Sequence, residues 1–404
     1  MSRDLRLILS VQALRALLYG FGSVVIGAAL ADAGLSDAKV GLVFTAMLAG
    51  FAVSSVVAGT IGDRLGRRRL YLGLLALMGL AGSVFALTAS FPLLALAALT
   101  GTVSVEPNES GPITSLEQAM IPHASAGAQR GRAFARYNAI AYLTGSIGAL
   151  AAGGPDFFRR FFPALPAGQR FLLAFPVIAV ACVLVAMRLS AQVEGGRELT
   201  PERRFPIVRS RSTVAKLSAL FAMDSFGGGF VVQAFIVFWF HRKFGASTEV
   251  MGVVFFAAGL LQSGSSLAAG WLGSRIGYLN TMVFTHLPSN VFLLLVPFMP
   301  NLASAIAMLL VRFAISQMDV PARQAYVVSM VDPDERTAAA AYTNTARYVI
   351  RPGGAALGGW VTQTIGLASP FVAAGGIKIA YDLILLATFR RVALPEEAPT
   401  PPSG

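Results

Sequence analysis

Apolar residues run along this chain in long blocks, each interrupted by few polar positions and parted from the next by a short charged segment. A helix that crosses the hydrocarbon core of a bilayer needs about 20 predominantly apolar residues. Twelve blocks approach that length: 8–31, 40–61, 70–90, 93–121, 133–154, 171–189, 216–240, 248–273, 280–299, 303–330, 338–360 and 370–389. Their connections are short except for 190–215, which is polar, carries Arg203, Arg204, Arg209 and Arg211, and divides the chain near its middle. The pattern predicts an all-α membrane protein of twelve transmembrane helices in two six-helix bundles. Residues 1–189 form the first bundle, 190–215 a basic linker and 216–389 the second, with 390–404 a Pro-rich disordered tail.

Composition narrows the class without changing it. The 404 residues are 55% hydrophobic and only 13% charged, with a mean hydropathy of +0.66, about half the charge of an ordinary soluble domain. The net charge of +12 would suit a polyanionic partner, but its placement argues against nucleic acid. With the N-terminus inside, basic residues gather in Arg3, Arg6, 64–69, 130–132, 188–216, Arg275, Arg336 and 390–391. The opposite loops hold Lys39, Arg159, Arg160, Arg170, Arg242 and Lys243. That asymmetry puts both termini and the linker in the cytoplasm. The lone cysteine, Cys182, has no partner for a disulfide, and His123, His241 and His286 are too scattered for a metal site. No cofactor is implied, and the first apolar block runs on too long for a cleaved leader.

The two halves echo each other. Gly41, Gly59, Gly62 and Gly66 recur 211 residues later as Gly252, Gly270, Gly273 and Gly277. Tyr137, Gly148, Gly153 and Gly154 recur after 205 residues as Tyr342, Gly353, Gly358 and Gly359. Eight pairs at two offsets indicate a duplicated six-helix unit. The segment 59–69 reads Gly-Thr-Ile-Gly-Asp-Arg-Leu-Gly-Arg-Arg-Arg. It resembles the signature loop of the major facilitator superfamily, Gly-x-Leu-x-Asp-Arg-x-Gly-Arg-Lys between that family's second and third helices, with Ile61 in place of Leu. The second copy, Gly-Trp-Leu-Gly-Ser-Arg-Ile-Gly-Tyr-Leu-Asn, is a decayed version with Ser274 replacing the acid. The resemblance implies the fold of that family and a gating role for Gly62, Asp63, Arg64, Gly66 and Arg67. A second family pattern, the Gly-x-x-x-Gly-Pro of antiporters, is met only in part by Gly145, Gly148, Gly153 and Pro155.

Ionisable groups inside spans are expensive and default to a functional pathway. Arg15 lies in the first span; Glu106, Glu109 and Glu117 in the fourth; Asp224 in the seventh; Arg312, Asp319 and Arg323 in the tenth; Arg347 and Arg351 in the eleventh; Lys378 and Asp382 in the twelfth. The resemblance puts spans one, four, seven and ten around a central cavity. The run Val-Glu-Pro-Asn-Glu-Ser-Gly-Pro at 105–112 must break its helix, presenting Glu106, Asn108 and Glu109; the alternative is a structural kink. Asp319 and Arg323, four apart, share a helix face. By the repeat, Arg323 matches Glu117, so these two, with Arg15, are expected to form a pair that breaks and reforms; the alternative is that Asp319 neutralises Arg323. Lys378 and Asp382 are expected to neutralise each other along the twelfth span. Gln233 and Trp239 are further cavity candidates.

Nothing resembles an enzyme, and no phosphate-binding loop marks an ATP-driven pump. The reading is a monomeric secondary transporter of a small molecule or ion, working by alternating access. It is expected to be coupled to protons through Glu109, then Glu106 or Asp224, and to export its substrate, as many relatives with this loop do. Arginine within the spans favours an anionic substrate. The glutamates of the fourth span favour the alternative, a multidrug or organic-cation antiporter. A sensor or receptor on a transporter fold is the second alternative. The expected place is a multi-pass position in the lipid bilayer of a bacterial or archaeal plasma (inner) membrane.

Overall fold

A computed structural model describes residues 1–106, 111–124, 130–164, 168–194, 207–332 and 335–391, and no strand occurs among them. The first half contains α1 (Arg3–Asp32), α2 (Asp37–Leu65), α3 (Arg67–Leu87), α4 (Phe91–Leu99), α5 (Pro112–Ala124), α6 (Arg130–Ala151), α7 (Gly154–Arg159) and α8 (Ala174–Ala186). The second contains α9 (Arg211–Gly229), α10 (Gln233–Phe244), α11 (Thr248–Ile276), α12 (Tyr278–Leu295), α13 (Leu302–Ser316), α14 (Asp319–Ser329), α15 (Arg336–Thr364) and α16 (Ser369–Phe389). Helix starts follow local chemistry. The hydroxyls of Ser2 and Ser36 accept the amides of Leu5 and Lys39, so α1 and α2 begin where a side chain can satisfy an orphan donor.

Among the described residues, nine stretches are long and apolar enough to cross a membrane. The blocks 93–121, 133–154 and 338–360 are the expected spans that fall short. The first is divided into α4 and α5; α6 and α15 are helical there but too polar, with Arg136, Asn138 and Thr144 in α6 and Asn344, Arg347 and Arg351 in α15. Three expected spans are discontinuous: the fourth between α4 and α5, the seventh between α9 and α10, and the tenth between α13 and α14.

The chain gathers into two compact units. The first comprises Met1–Glu198, Phe230–Leu260 and Ala355–Pro370; the second comprises Leu199–Gly229, Leu261–Gly354 and Phe371–Gly404. In the first, α1 packs against α6, α8 and α10. The duplicated glycines mark equivalent places. Gly66 and Gly277 both stand between consecutive long helices with positive φ, 89° and 83°, a region that costs other residues energy. Gly41 touches Gly359 where α2 crosses α15, and a Cβ on Gly252 would meet the Ala149 carbonyl of α6 at 2.6 Å. Such close backbone approach is how helices associate where lipid removes the hydrophobic drive.

Carboxylates hold two helix beginnings. Glu194 accepts the Arg68 amide at 3.3 Å, in the first turn of α3, while the Arg67 guanidinium reaches the Ala119 carbonyl at 3.2 Å. In the second unit Glu335 accepts three successive amides, of Val208 (2.6 Å), Arg209 (2.9 Å) and Ser210 (2.9 Å), ahead of α9. Those amides favour the ionised form and hold the Glu335 carboxyl down at about 2. A depressed carboxyl contributes stability above its unfolded value, near 4.5, and loses it as pH falls towards about 2. In thermal unfolding across pH, the advantage of the native chain over Glu335→Gln should be constant above that upper value and shrink below it. An advantage that is unchanged at acid pH contradicts the clasp. Gly66→Val should lower the midpoint too, because the new side chain meets both a strained φ and the Glu194 oxygens 3.3 Å away.

Candidate functional site

In the first unit, four helices converge on one carboxylate. Glu117 of α5 is fully buried, and Arg15 of α1 retains 2% exposure. Arg15 Nη2 donates to Glu117 Oε2 at 2.6 Å, and the Tyr71 hydroxyl of α3 donates to Oε1 at 2.7 Å. Tyr137 of α6 donates to Oε2, and Arg15 also reaches Gln12 and Tyr137. A buried carboxylate with one cation and two hydroxyl donors is electrically neutral and well supplied with hydrogen bonds.

The break in the fourth span supplies its own partners. Between α4 and α5, the Thr102 carbonyl accepts the Tyr19 hydroxyl at 2.8 Å, and the Val105 carbonyl accepts the Ala234 amide of α10 at 3.2 Å. Inside the first unit, α1 and the start of α10 thus supply donors to the irregular backbone between α4 and α5, as such backbone in a bilayer requires. Glu106 is half-buried here, its amide bonded to the Ser104 hydroxyl at 3.1 Å. Asn108 and Glu109 lie outside the described residues. Gln233 donates to the Ser23 hydroxyl of α1 at 2.8 Å, and Trp239 is fully buried with its indole donating to the Leu367 carbonyl at 2.7 Å.

The second unit holds a denser cluster. Asp224 of α9 accepts Lys378 Nζ of α16 at 2.6 Å and lies 3.5 Å from Arg323 Nη1 of α14. Arg323 also donates to Asp319 at 3.1 Å. His286 of α12 places Nδ1 2.8 Å from Asp382 Oδ1 of α16 and Nε2 3.6 Å from Asp224 Oδ1. Asn290 Nδ2, one turn on, is 3.1 Å from His286 Nδ1 and 2.9 Å from Asp382 Oδ2. All seven of these side chains belong to buried residues. Arg347 of α15 is within electrostatic reach of Asp224 and Asp319, and its Nε is buried with no hydrogen-bond partner among the described residues. Arg351 follows it on α15 and is half-buried.

Several expected pairings are redrawn. Glu117 is engaged by Arg15, and Arg323 by Asp319, the alternative its spacing offered, and by Asp224, so each charge is answered within its own unit. Lys378 and Asp382 do not neutralise each other: Lys378 turns to Asp224 and Asp382 to His286. Cross-helix partners at 2.6 and 2.8 Å outcompete a pairing of two buried side chains on neighbouring turns of one helix. In the signature loop, Gly62 faces Leu116 closely and Gly66 makes the turn, while the side chains of Asp63 and Arg64 lie outside the described residues. His286, Asn290, Tyr71 and the cross-helix roles of Lys378 and Asp382 were missed. A signal existed for the first two: Thr281, Thr285, His286, Ser289 and Asn290 fall on one face of α12, and all are buried.

Removing one partner of a buried ion pair strands the other. Arg15→Leu should destabilise the chain by about 3–5 kcal/mol, while Arg15→Leu with Glu117→Leu should cost less than the two single changes summed. Additive losses in thermal or denaturant unfolding contradict the pairing.

The sequence pattern of the Major Facilitator Superfamily matches residues 8–352. The chain is 27% identical over 422 residues to the uncharacterised membrane protein YJR124C of Saccharomyces cerevisiae, covering 96% of this chain and 94% of that one. That a yeast carries such a protein removes the ground for restricting the chain to a bacterial or archaeal membrane. Among solved structures, the nucleoside transporter NupG superposes with a TM-score of 0.73 at 12% identity, covering 96% of this chain and 99% of that one. A bacterial homologue of the human lysosomal transporter Spinster, inward-facing and occupied, gives 0.71 at 17%, covering 95% and 94%. A D-xylose–proton symporter gives 0.69 at 16%, covering 95% and 97%. The duplicated halves, the interrupted spans and the sequence match lead to one conclusion: the chain belongs to the Major Facilitator Superfamily and is a multi-pass membrane transporter.

Proposed function

We propose that this transporter couples the movement of a small anionic solute to protons, with His286 and Asp382 handling the proton and Arg347 the anion, and with both termini cytoplasmic as the basic loops favour. The observation that carries this reading is the conflict at His286 Nδ1. It is 2.8 Å from a carboxylate oxygen, which only accepts, and 3.1 Å from an amide nitrogen, which only donates. One ring nitrogen cannot serve both. Protonated, it donates to Asp382; deprotonated, it accepts from Asn290. The site thus has two hydrogen-bonding arrangements that differ by a proton.

Charge balance supplies the link to substrate. Asp224, Asp319 and Asp382 carry as many negative charges as Lys378, Arg323 and Arg347 carry positive ones. A proton on His286 makes the cluster positive, which favours an anion at the partly unpaired Arg347 guanidinium. Proton and anion then bind cooperatively and move together. Glu109, first among the coupling candidates from sequence, lies outside the described residues; among the candidates within them, Asp224 sits beside His286 and Asp382.

In liposomes containing a pH-sensitive dye, gradients of small carboxylates or organic phosphates should drive protons in the same direction as the anion. His286→Asn should reduce that proton movement on the order of a hundredfold while anion exchange at equal pH persists. Proton movement opposite to an organic cation, indifferent to His286→Asn, would overturn the reading in favour of a cation antiporter.

A further inference from the structure

At the end of the first unit remote from the N-terminus of α1, three ion pairs join the early helices to the 230–260 segment. Asp32, the last residue of α1, meets His241 of α10; Asp37, the first of α2, meets Arg242 at 3.5 Å; and Arg160, just after α7, meets Glu249 in the first turn of α11. Two of the cations are guanidiniums; the third is an imidazole, the side chain type whose charge ordinarily changes near neutral pH.

The imidazole of His241 bridges two acceptors. Nδ1 lies 2.9 Å from the Ala246 carbonyl oxygen and Nε2 lies 3.0 Å from Asp32 Oδ1. A carbonyl accepts and never donates. Asp32 has 70% of its side chain exposed, so its carboxylate is solvated and accepts as well. A neutral imidazole has one N–H and can satisfy one of these contacts; the imidazolium has two and satisfies both. The neighbouring charges act in both senses. Asp32, Asp37 and Glu249 favour the protonated ring, while Arg242, Lys243 and Arg160 oppose it. The geometry with both contacts made is the protonated one.

The contacts under this bridge are tight. A Cβ on Gly27 of α1 would lie 2.3 Å from the Ala234 carbonyl of α10, and Gly41 abuts Gly359. The Trp239 indole ties α10 to the Leu367 carbonyl. Seams of small residues have two states, packed or parted, with little between them. A charge at the rim is therefore well placed to bias one state over the other.

We propose that His241 is a proton-binding site that latches this end of the transporter shut. Protonated, it holds the end of α1 to the end of α10 through Asp32. Deprotonated, it gives up one of its two contacts and the seam parts more readily. Acid conditions on that side therefore favour closure, and the latch weakens as pH rises.

The test is a distance measurement by pulsed electron paramagnetic resonance. Spin labels are attached at Leu35→Cys and Lys243→Cys, with the lone native cysteine replaced by Cys182→Ala. Between about pH 5.5 and pH 8.5, the native histidine should show a longer-distance population that grows severalfold. His241→Gln, which has no proton to lose, and Asp32→Asn, at an exposed position where folding is not in question, should show no pH response. A response that survives both substitutions, or no response in the native chain, overturns the proposal. The readout is a distance in the absence of substrate, so its failure leaves the coupling role of His286 standing, and failure of that role leaves the latch standing.

Discussion

A charge inside a bilayer must find its counter-charge within a few ångströms, and the architecture of this transporter is arranged around that requirement. In water a single ion pair is worth little, because solvent competes for both partners. In the interior of a helical bundle no solvent competes, and an unanswered carboxylate forces either a rearrangement or a proton. Glu117 draws α1, α3, α5 and α6 around it through Arg15, Tyr71 and Tyr137. Asp224, Asp319 and Asp382 draw α9, α12, α14 and α16 together through Lys378, Arg323 and His286. The same rule reaches the backbone: the Val105 carbonyl, in the break between α4 and α5, accepts the Ala234 amide of α10.

The two clusters differ in kind. The first is closed, with Glu117 surrounded by donors that cannot readily leave it. Such a site fixes packing and offers no second arrangement. The second contains an imidazole between two carboxylates and next to an amide, and it cannot satisfy every contact at once. A site with two competing hydrogen-bond patterns has two states by construction, and a transporter needs an element whose equilibrium two ligands bias. This difference is what supports the proposal that the proton binds in the second cluster while the first holds the packing.

Much of this was legible in the sequence. The hydrophobic blocks set the helices, and the glycine offsets gave the duplication, since Gly66 and Gly277 turn the chain at equivalent places with positive φ. The signature loop carried the family. Asp319 with Arg323 could be paired from spacing alone. What spacing could not give was partnership across helices. Lys378 and Asp382 look self-sufficient on one helix, yet each is drawn away by a better-placed group on another, Asp224 and His286. His286 belongs to no metal-ligand pattern in the sequence; its signal is the polar stripe it shares with Thr281, Thr285, Ser289 and Asn290. The interrupted helix of the fourth span was foreseen, but its capture by Tyr19 and Ala234 depends on three-dimensional neighbours that sequence does not supply.

In the proposed coupling, His286 exchanges a proton between two hydrogen-bonding arrangements. Nitrogen-15 magnetic resonance of labelled histidines in lipid nanodiscs reads this directly, because the ring nitrogens of neutral and protonated imidazole resonate far apart. The account predicts that His286 signals, assigned by their loss in His286→Asn, move with pH between about 5 and 9 and shift when Asp382→Asn removes the carboxylate. A single neutral tautomer across that range, unmoved by Asp382→Asn, would contradict it.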